Sequence, residues 1–114
     1  MVFFLSSSLC LLLPSSSSLQ DQFGNTALMC AARRGHDTVI PLLLEADAQI
    51  DAQSIGGYTP LIYASLEGKE AAVRELLKGN PNLDLKYEGK TALDWAREEN
   101  HHSIVNLLVN HGRP

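Results

Sequence analysis

The stretch that decides the fold of this chain is Gly57-Tyr58-Thr59-Pro60-Leu61-Ile62-Tyr63-Ala64. Two similar stretches, 24–31 and 89–96, begin 33 residues before it and 32 residues after it. All three read Gly-x-Thr-(Ala/Pro)-Leu-x-x-Ala, where x is any residue. A short unit that recurs at a nearly constant interval predicts a repeat protein, in which each unit buries its apolar face against the next.

Each stretch carries the signals of a helix start. A threonine stands where its hydroxyl can accept a hydrogen bond from an amide of the first helical turn. These threonines are Thr26, Thr59 and Thr91. Pro60 follows at the first helical position, where its fixed φ fits and its missing amide is not needed. Gly35, Gly68 and Asn100 are expected to end the three helices, because they tolerate the left-handed backbone found there.

An apolar run after each of these helices predicts a second helix. The first two are expected at 38–45 and 69–78, and the third carries the stripe formed by Ile104, Val105, Leu107 and Leu108. Pro41 interrupts the first of them. If Asp37 is the N-cap, Pro41 removes the amide that would close the first intrahelical bond, so a weakened turn or a later helix start is expected.

Composition and charge narrow the class of protein. Of the 114 residues, 45% are hydrophobic, as is normal for one globular domain. The formal net charge of −4 argues against a protein that binds nucleic acid by neutralising phosphates. Two cysteines, Cys10 and Cys30, are too few for a disulfide framework or a metal knuckle, and Cys30 is expected in the core. A reducing compartment suits them, and we expect a cytoplasmic or nuclear location.

The first 20 residues differ from the rest, because every Asp, Glu, Lys and Arg follows position 20. A transmembrane helix needs about 20 apolar residues, and this stretch is interrupted by serines. Two interpretations stay open for residues 1–20: a poorly ordered leader outside the fold, or a signal-like element that would make the protein secreted. The repeat domain is expected over 21–114, with units at about 21–50, 51–83 and 84–112.

On these residues the chain resembles the ankyrin repeat family. The unit of that family is a β-turn, two short antiparallel helices and a loop, with the signature Gly-x-Thr-Pro-Leu-His-x-Ala-Ala. The agreement is carried by Gly57-Tyr58-Thr59-Pro60-Leu61, Ala31-Ala32-Arg33-Arg34-Gly35-His36 and Ile104-Val105-Asn106-Leu107-Leu108. The resemblance covers about residues 21–112. It implies an all-α solenoid of three helix-turn-helix repeats with β-turn tips.

The chain departs from that signature at two positions. The signature histidine is replaced by Met29, Ile62 and Asp94. The hydrogen bonds that this histidine usually makes across the loops are therefore absent or remade. Ala27 and Ala92 replace the proline at the helix start. The stretch 91–96 resembles a variant often found in a final repeat of the family.

The sequence contains no credible catalytic or metal site. His101 and His102 follow Asp94 and Glu98, but adjacent histidines lack the i, i+4 spacing that presents two imidazoles to one metal. A solvated connection between helices is expected there instead. A triad of Ser103, His102 and Asp94 would need a strand-turn-helix elbow, and no such pattern is found. The prediction is therefore no enzyme, no metal and no cofactor.

The resemblance implies a function in binding another protein. Members of this family bind through their turn tips and the exposed side of the first helices, an extended concave surface. Carried over by position, the tip residues are Phe23, Asn25, Ile55, Tyr58, Tyr87 and Lys90. The first-helix residues are Arg33, Arg34, Leu66 and Glu67. Nucleic acid, a small-molecule substrate and a membrane are not expected as partners.

Two features of this surface favour binding, and each has a plain alternative. Aromatic tip residues are typical of binding hot spots, but the rings can instead pack on neighbouring turns. The helix charges run from basic at Arg33 and Arg34 to acidic at Glu67, Glu98 and Glu99, which suits a complementary partner or simply maintains solubility. Two other interpretations stay open: a regulatory or truncated fragment of a larger enzyme or channel, and a secreted, host-directed effector.

Overall fold

The computed structural model describes residues 24–111, and within them the chain forms six α-helices. These are α1 (Ala27–Arg34), α2 (Val39–Glu45), α3 (Pro60–Glu67), α4 (Glu70–Lys78), α5 (Ala92–Glu98) and α6 (His102–Asn110). Consecutive helices pack as three pairs. Over the same residues, the only strand-like pairing is one bridge between Tyr87 and Lys90. The predicted all-α class is confirmed.

Threonines cap the first helix of each pair, as predicted. The side-chain oxygens of Thr26, Thr59 and Thr91 accept hydrogen bonds from the amides three residues later, at 3.3, 3.1 and 3.3 Å. At α5 the bond is reciprocal, because the Asp94 carboxylate accepts from the backbone amide of Thr91 at 3.2 Å. These bonds satisfy amides that a helix leaves without intrahelical partners. Pro60 occupies the first position of α3, also as predicted.

Left-handed residues end the same three helices. Gly35 and Gly68 follow α1 and α3 with φ values of 76° and 73°. Asn100 takes the same backbone region after α5, with a φ of 62°. Asparagine tolerates this region better than most side chains, because its short polar group can bond locally. The prediction that Asn100 takes the place of glycine at this helix end is confirmed.

Helix α2 begins at Val39, so Pro41 is its third residue. The amides of Val39 and Ile40 both donate to the carbonyl of His36. Pro41 has no amide to continue this series to the carbonyl of Asp37, so the regular helix starts only at Val39. Of the two effects expected from Pro41, a weakened turn or a later start, the structure has the later start. The N-cap position falls on Thr38 rather than on Asp37, and its side chain makes no capping bond.

The helices form an inner row of α1, α3 and α5 and an outer row of α2, α4 and α6. In the inner row, Ala31, Ala64 and Ala96 are all 0% exposed. A methyl group at each position leaves room for the adjacent helix. Larger apolar side chains from both rows complete the core. Those with at most 1% exposure include Leu28, Ile40, Leu43, Ile62, Leu76 and Ile104.

The connection between α5 and α6 docks onto the preceding helix pair. His101 is half-buried, and its Nε2 atom lies 3.2 Å from the carbonyl oxygen of Leu66. The imidazole packs on Gly68 so closely that a Cβ there would lie 2.7 Å from a ring carbon. His102 is exposed. The expectation of a solvated connection is therefore correct for His102 and wrong for His101.

Candidate functional site

Four aromatic rings form a continuous stack across the tips and inner helices. The ring of Tyr58 lies 4.4 Å from that of Tyr63, with 6° between their planes. On its other side it lies 3.9 Å from the ring of Tyr87, at 23°. Tyr87 in turn lies 5.5 Å from Trp95, at 31°. We call these four residues the aromatic ladder; it consists of two stacked pairs and one tilted pair.

Short hydrogen-bonded turns hold the ladder residues in position. The amide of Ser54 donates to the carbonyl of Tyr58 at 2.9 Å, and the amide of Tyr58 donates to Ser54 Oγ at 3.2 Å. In the next turn, Tyr87 and Lys90 exchange two backbone bonds of 2.9 and 3.1 Å. Gly57 has a φ of 100°, a conformation that side chains rarely adopt. Both turns are thereby fixed, and so are the rings they carry.

A cation stands at each end of the ladder. The guanidinium carbon of Arg33 lies 5.8 Å from the centroid of the Tyr63 ring. The Lys90 ammonium lies 4.7 Å from the centroid of the Trp95 ring and is also paired with Glu98. Cations within about 6 Å of an aromatic face are attracted by its negative potential. The ladder therefore ends in a basic group on both sides.

Polar bonds tie the ladder into the repeats. The hydroxyl of Tyr63 donates to Oδ1 of Asn25 at 2.7 Å, which joins α3 to the turn of the preceding unit. The indole nitrogen of Trp95 donates to the carbonyl of Tyr87 at 3.1 Å. The stacking of Tyr58 on Tyr87 joins the second and third turns. One connected set of side chains thus spans all three repeats.

The two stacked tyrosines are also coupled electrostatically. The neighbouring Tyr58 side chain, chiefly through hydrogen bonding, raises the pKa of Tyr87 to about 12 from an ordinary value of 10.0, and desolvation adds to the shift. The cause is that both effects favour the neutral phenol over the phenolate. Tyr87 therefore stays neutral across the physiological pH range.

The predicted binding residues fall into three groups. Phe23 lies outside the described residues. The exposed group contains Arg33, Arg34, Ile55 and Glu67. The half-buried group contains Asn25, Tyr58, Leu66, Tyr87 and Lys90. The tyrosines at the tips pack on each other, which is the alternative that the sequence left open, and their assignment to a binding site stays a prediction.

Ile55 is the predicted tip residue that remains most accessible. Its side chain is 80% exposed, at the turn that precedes Tyr58. Among the large hydrophobic residues of the part of the chain that the structure describes, only Leu42, at 60%, is comparable. Glu98 and Glu99 are exposed on the inner row, so the basic-to-acidic series of charges also faces solvent.

Sequence reasoning did not place Tyr63 or Trp95 among the site residues. A signal for both was present, because each stands six residues after the glycine that opens its stretch, Gly57 or Gly89. Cys30 holds the same position in the first unit. It is half-buried rather than buried. The expectation of a fully buried core cysteine is therefore wrong.

Two of the residues considered for metal or catalytic chemistry have structural roles in the fold. Asp94 completes the cap of α5, and His101 contacts the Leu66 carbonyl. Within residues 24–111, no group of three or more His, Cys, Asp or Glu side chains is placed to hold a metal ion. Over the same residues, no helix has the length and apolar character needed to cross a membrane.

A protein-family model for ankyrin repeats matches the chain at residues 5–84 and 46–114, with three copies. The first match begins inside the segment 1–20 that the sequence analysis sets apart from the repeats; that segment lies outside the described residues.

Curated proteins with significant similarity are much longer than this chain. It is 33% identical over 94 residues to Dauer abnormal formation protein 25 of Caenorhabditis elegans, covering 81% of this chain and 24% of that protein. It is 32% identical over 94 residues to the Transient receptor potential cation channel subfamily A member 1 homolog of Caenorhabditis elegans. That match covers 82% of this chain and 8% of that protein. It is 36% identical over 77 residues to Protein phosphatase 1 regulatory subunit 12A of Mus musculus. That match covers 67% of this chain and 8% of that protein.

Proposed function

Because this chain belongs to the ankyrin repeat family, we propose that it is a non-catalytic module that binds a partner protein through its turn tips and inner helices. Ankyrin repeats generally mediate protein–protein interaction. The proposed partner is a protein, not a nucleic acid or a small-molecule substrate.

The observation that carries this proposal is the exposure of Ile55 beside an ordered aromatic surface. A single exposed apolar residue is common on any protein. Ile55 differs because it stands on a turn whose neighbour, Tyr58, is held by two hydrogen bonds to Ser54 and by ring stacking. A preorganised apolar anchor loses little conformational entropy on binding, which favours affinity.

The charged side chains of the inner row favour one orientation of the bound partner. Arg33 and Arg34 are exposed on α1, whereas Glu67 is exposed at the end of α3. Glu98 and Glu99 are exposed at the end of α5, beside the exposed Arg97. A partner with acidic groups facing α1 and basic groups facing α5 would therefore dock in one direction. Complementary charges of this kind act mainly on specificity and on the association rate.

The chain offers a matched pair of variants for a test. Ile55→Asp places a charge at the proposed anchor, and Leu42→Asp places the same charge at an exposed leucine on α2, away from the tips. Each full-length variant would be used as bait in an extract of its native source, with captured proteins quantified by mass spectrometry. We expect a partner that is lost with Ile55→Asp and retained with Leu42→Asp.

Circular dichroism and thermal melts would establish that both variants keep the fold. A captured set that is the same for both folded variants would contradict the assignment of Ile55. Failure of the unmodified protein to capture any partner would contradict the proposed function itself.

A second candidate function is supported by the relatives. The chain spans only 24% of the first relative and 8% of the second, which is a channel homolog. It likewise spans 8% of a phosphatase regulatory subunit. The repeats would then be the interaction portion of a larger regulatory protein or channel. Peptide mass spectrometry of the native protein tests this, because peptides continuous with this chain but absent from it would identify a longer product.

The expected cytoplasmic or nuclear location stays a prediction, as does the secreted alternative. Fractionation of the native source, combined with sequencing of the mature N-terminus, distinguishes the two.

A further inference from the structure

The outer row of helices contains a cleft that the proposed tip surface does not use. It lies between α4 and α6 and has a volume of about 530 Å³. Pockets that bind small ligands or side chains commonly measure about 300–1,000 Å³. The cleft is shallow and open to solvent, which suits an extended segment better than an enclosed small molecule.

The floor of the cleft is apolar and its rim is basic. Leu77, 8% exposed, and the half-buried Leu107 supply the apolar surface. Arg74, Lys78 and His111 line the same cleft, and none of its described lining residues is a carboxylate. The arrangement therefore offers cationic donors around an apolar centre.

Two amides on α6 add further hydrogen-bonding capacity. Asn106 and Asn110 are one helical turn apart, are exposed, and both line the cleft. Each amide can donate and accept hydrogen bonds. They are thus able to bond the backbone of a segment that crosses the cleft.

The cations of the rim are held only weakly by their own helix. Arg74 pairs with Glu70, and its side chain is 56% exposed. Lys78 pairs with Glu75 at 3.1 Å, and its side chain is 72% exposed. Exposed pairs of this kind contribute little to stability, so exchanging the partner carboxylate has a small cost.

From this charge complementarity we propose that the cleft binds a short acidic peptide segment of a partner protein. An aliphatic side chain of the segment packs on Leu77 and Leu107, and its carboxylates contact Arg74 and Lys78. This second surface lies on the outer row and shares no residue with the aromatic ladder. Its occupation does not depend on the function proposed for the tips.

The test uses the full chain and two labelled peptides, Glu-Glu-Leu-Leu-Glu-Glu and Gln-Gln-Leu-Leu-Gln-Gln. Binding would be measured by fluorescence anisotropy, and the contacted residues by changes in amide chemical shift. We expect the acidic peptide to bind more tightly, and its shift changes to centre on Leu77 and Leu107. The double substitution Arg74→Gln and Lys78→Gln should weaken that binding about fivefold, as two exposed ion pairs would. Glutamine is a good helix former, so α4 should persist.

The matched control replaces two exposed cations elsewhere, Lys86→Gln with Arg97→Gln, and should leave the affinity unchanged. Equal weakening by both double variants would overturn the proposal, because it would indicate only a general charge effect. Shift changes confined to the tips, or equal binding of the two peptides, would also overturn it. Concentration-dependent self-association that is lost in the Arg74→Gln, Lys78→Gln variant would overturn it as well, because a second copy of the chain would then occupy the cleft.

Discussion

The Nε2 atom of His101 lies 3.2 Å from the carbonyl oxygen of Leu66, which ties the third helix pair to the end of α3. Leu66 is in the last turn of α3, where carbonyls have no intrahelical donor. The imidazole can donate this bond whenever Nε2 carries a proton. An interface formed mainly by apolar residues thus also includes a directional bond.

Replacing His101 by alanine should lower the free energy of unfolding by about 1–2 kcal/mol, because it removes this bond and leaves the Leu66 carbonyl unpartnered. Urea denaturation monitored by circular dichroism measures the change. His102→Ala is the control, since His102 is adjacent and exposed, and its effect should stay within about 0.5 kcal/mol. Equal losses for the two variants would contradict the assigned role of His101.

Two buried serines should respond to alanine with opposite signs. Ser65 is 0% exposed, and its hydroxyl has no hydrogen-bond partner among the described residues. Ser65→Ala should raise the free energy of unfolding by about 1 kcal/mol, because it removes an unsatisfied polar group from a helix interior. Ser54 is 7% exposed, but its hydroxyl accepts from the Tyr58 amide. Ser54→Ala should therefore lower the free energy of unfolding by about 1 kcal/mol. Thermal or urea melts measure both changes, and the same sign for both would contradict this interpretation.

The pKa of Tyr87 should fall toward its ordinary value in Tyr58→Phe, which keeps the stacked ring and removes the hydroxyl that mainly raises it. Because the folded-state value of about 12 exceeds the ordinary 10.0, the associated stability is complete below pH 10 and is lost as the pH rises toward 12. The Cζ chemical shift of Tyr87, followed through an alkaline titration, measures this pKa. Tyr63→Phe is the control and should leave it unchanged; an unaltered value in Tyr58→Phe would refute the coupling.

Local features of the fold could be predicted from residue type. Thr59 caps a helix and Gly68 ends one because the chemistry needed lies within the same few residues. The start of α2 at Val39 follows from the same local rules, applied to Pro41. Such features depend little on how the repeats are rotated against one another.

The aromatic ladder and the outer cleft could not be predicted in the same way. Tyr58 and Tyr87 are far apart in sequence, and their stacking depends on the rotation between two repeats. Ile55 is exposed while Tyr58, in the same turn, is half-buried against Tyr87. The cleft arises where side chains of α4 and α6 fail to fill the space between them. These are properties of the assembled stack.

The completely buried column of Ala31, Ala64 and Ala96 has a consequence for the shape of the molecule as a whole. The distance between inner helices is limited by one methyl group per repeat, whereas the outer helices are separated by larger side chains such as Leu76 and Ile104. A difference in spacing between the two rows bends the array, and the curvature of a solenoid follows from such small rotations per repeat. The curvature of the array therefore depends on the volumes of these side chains, and so does the distance between its first and last turn tips.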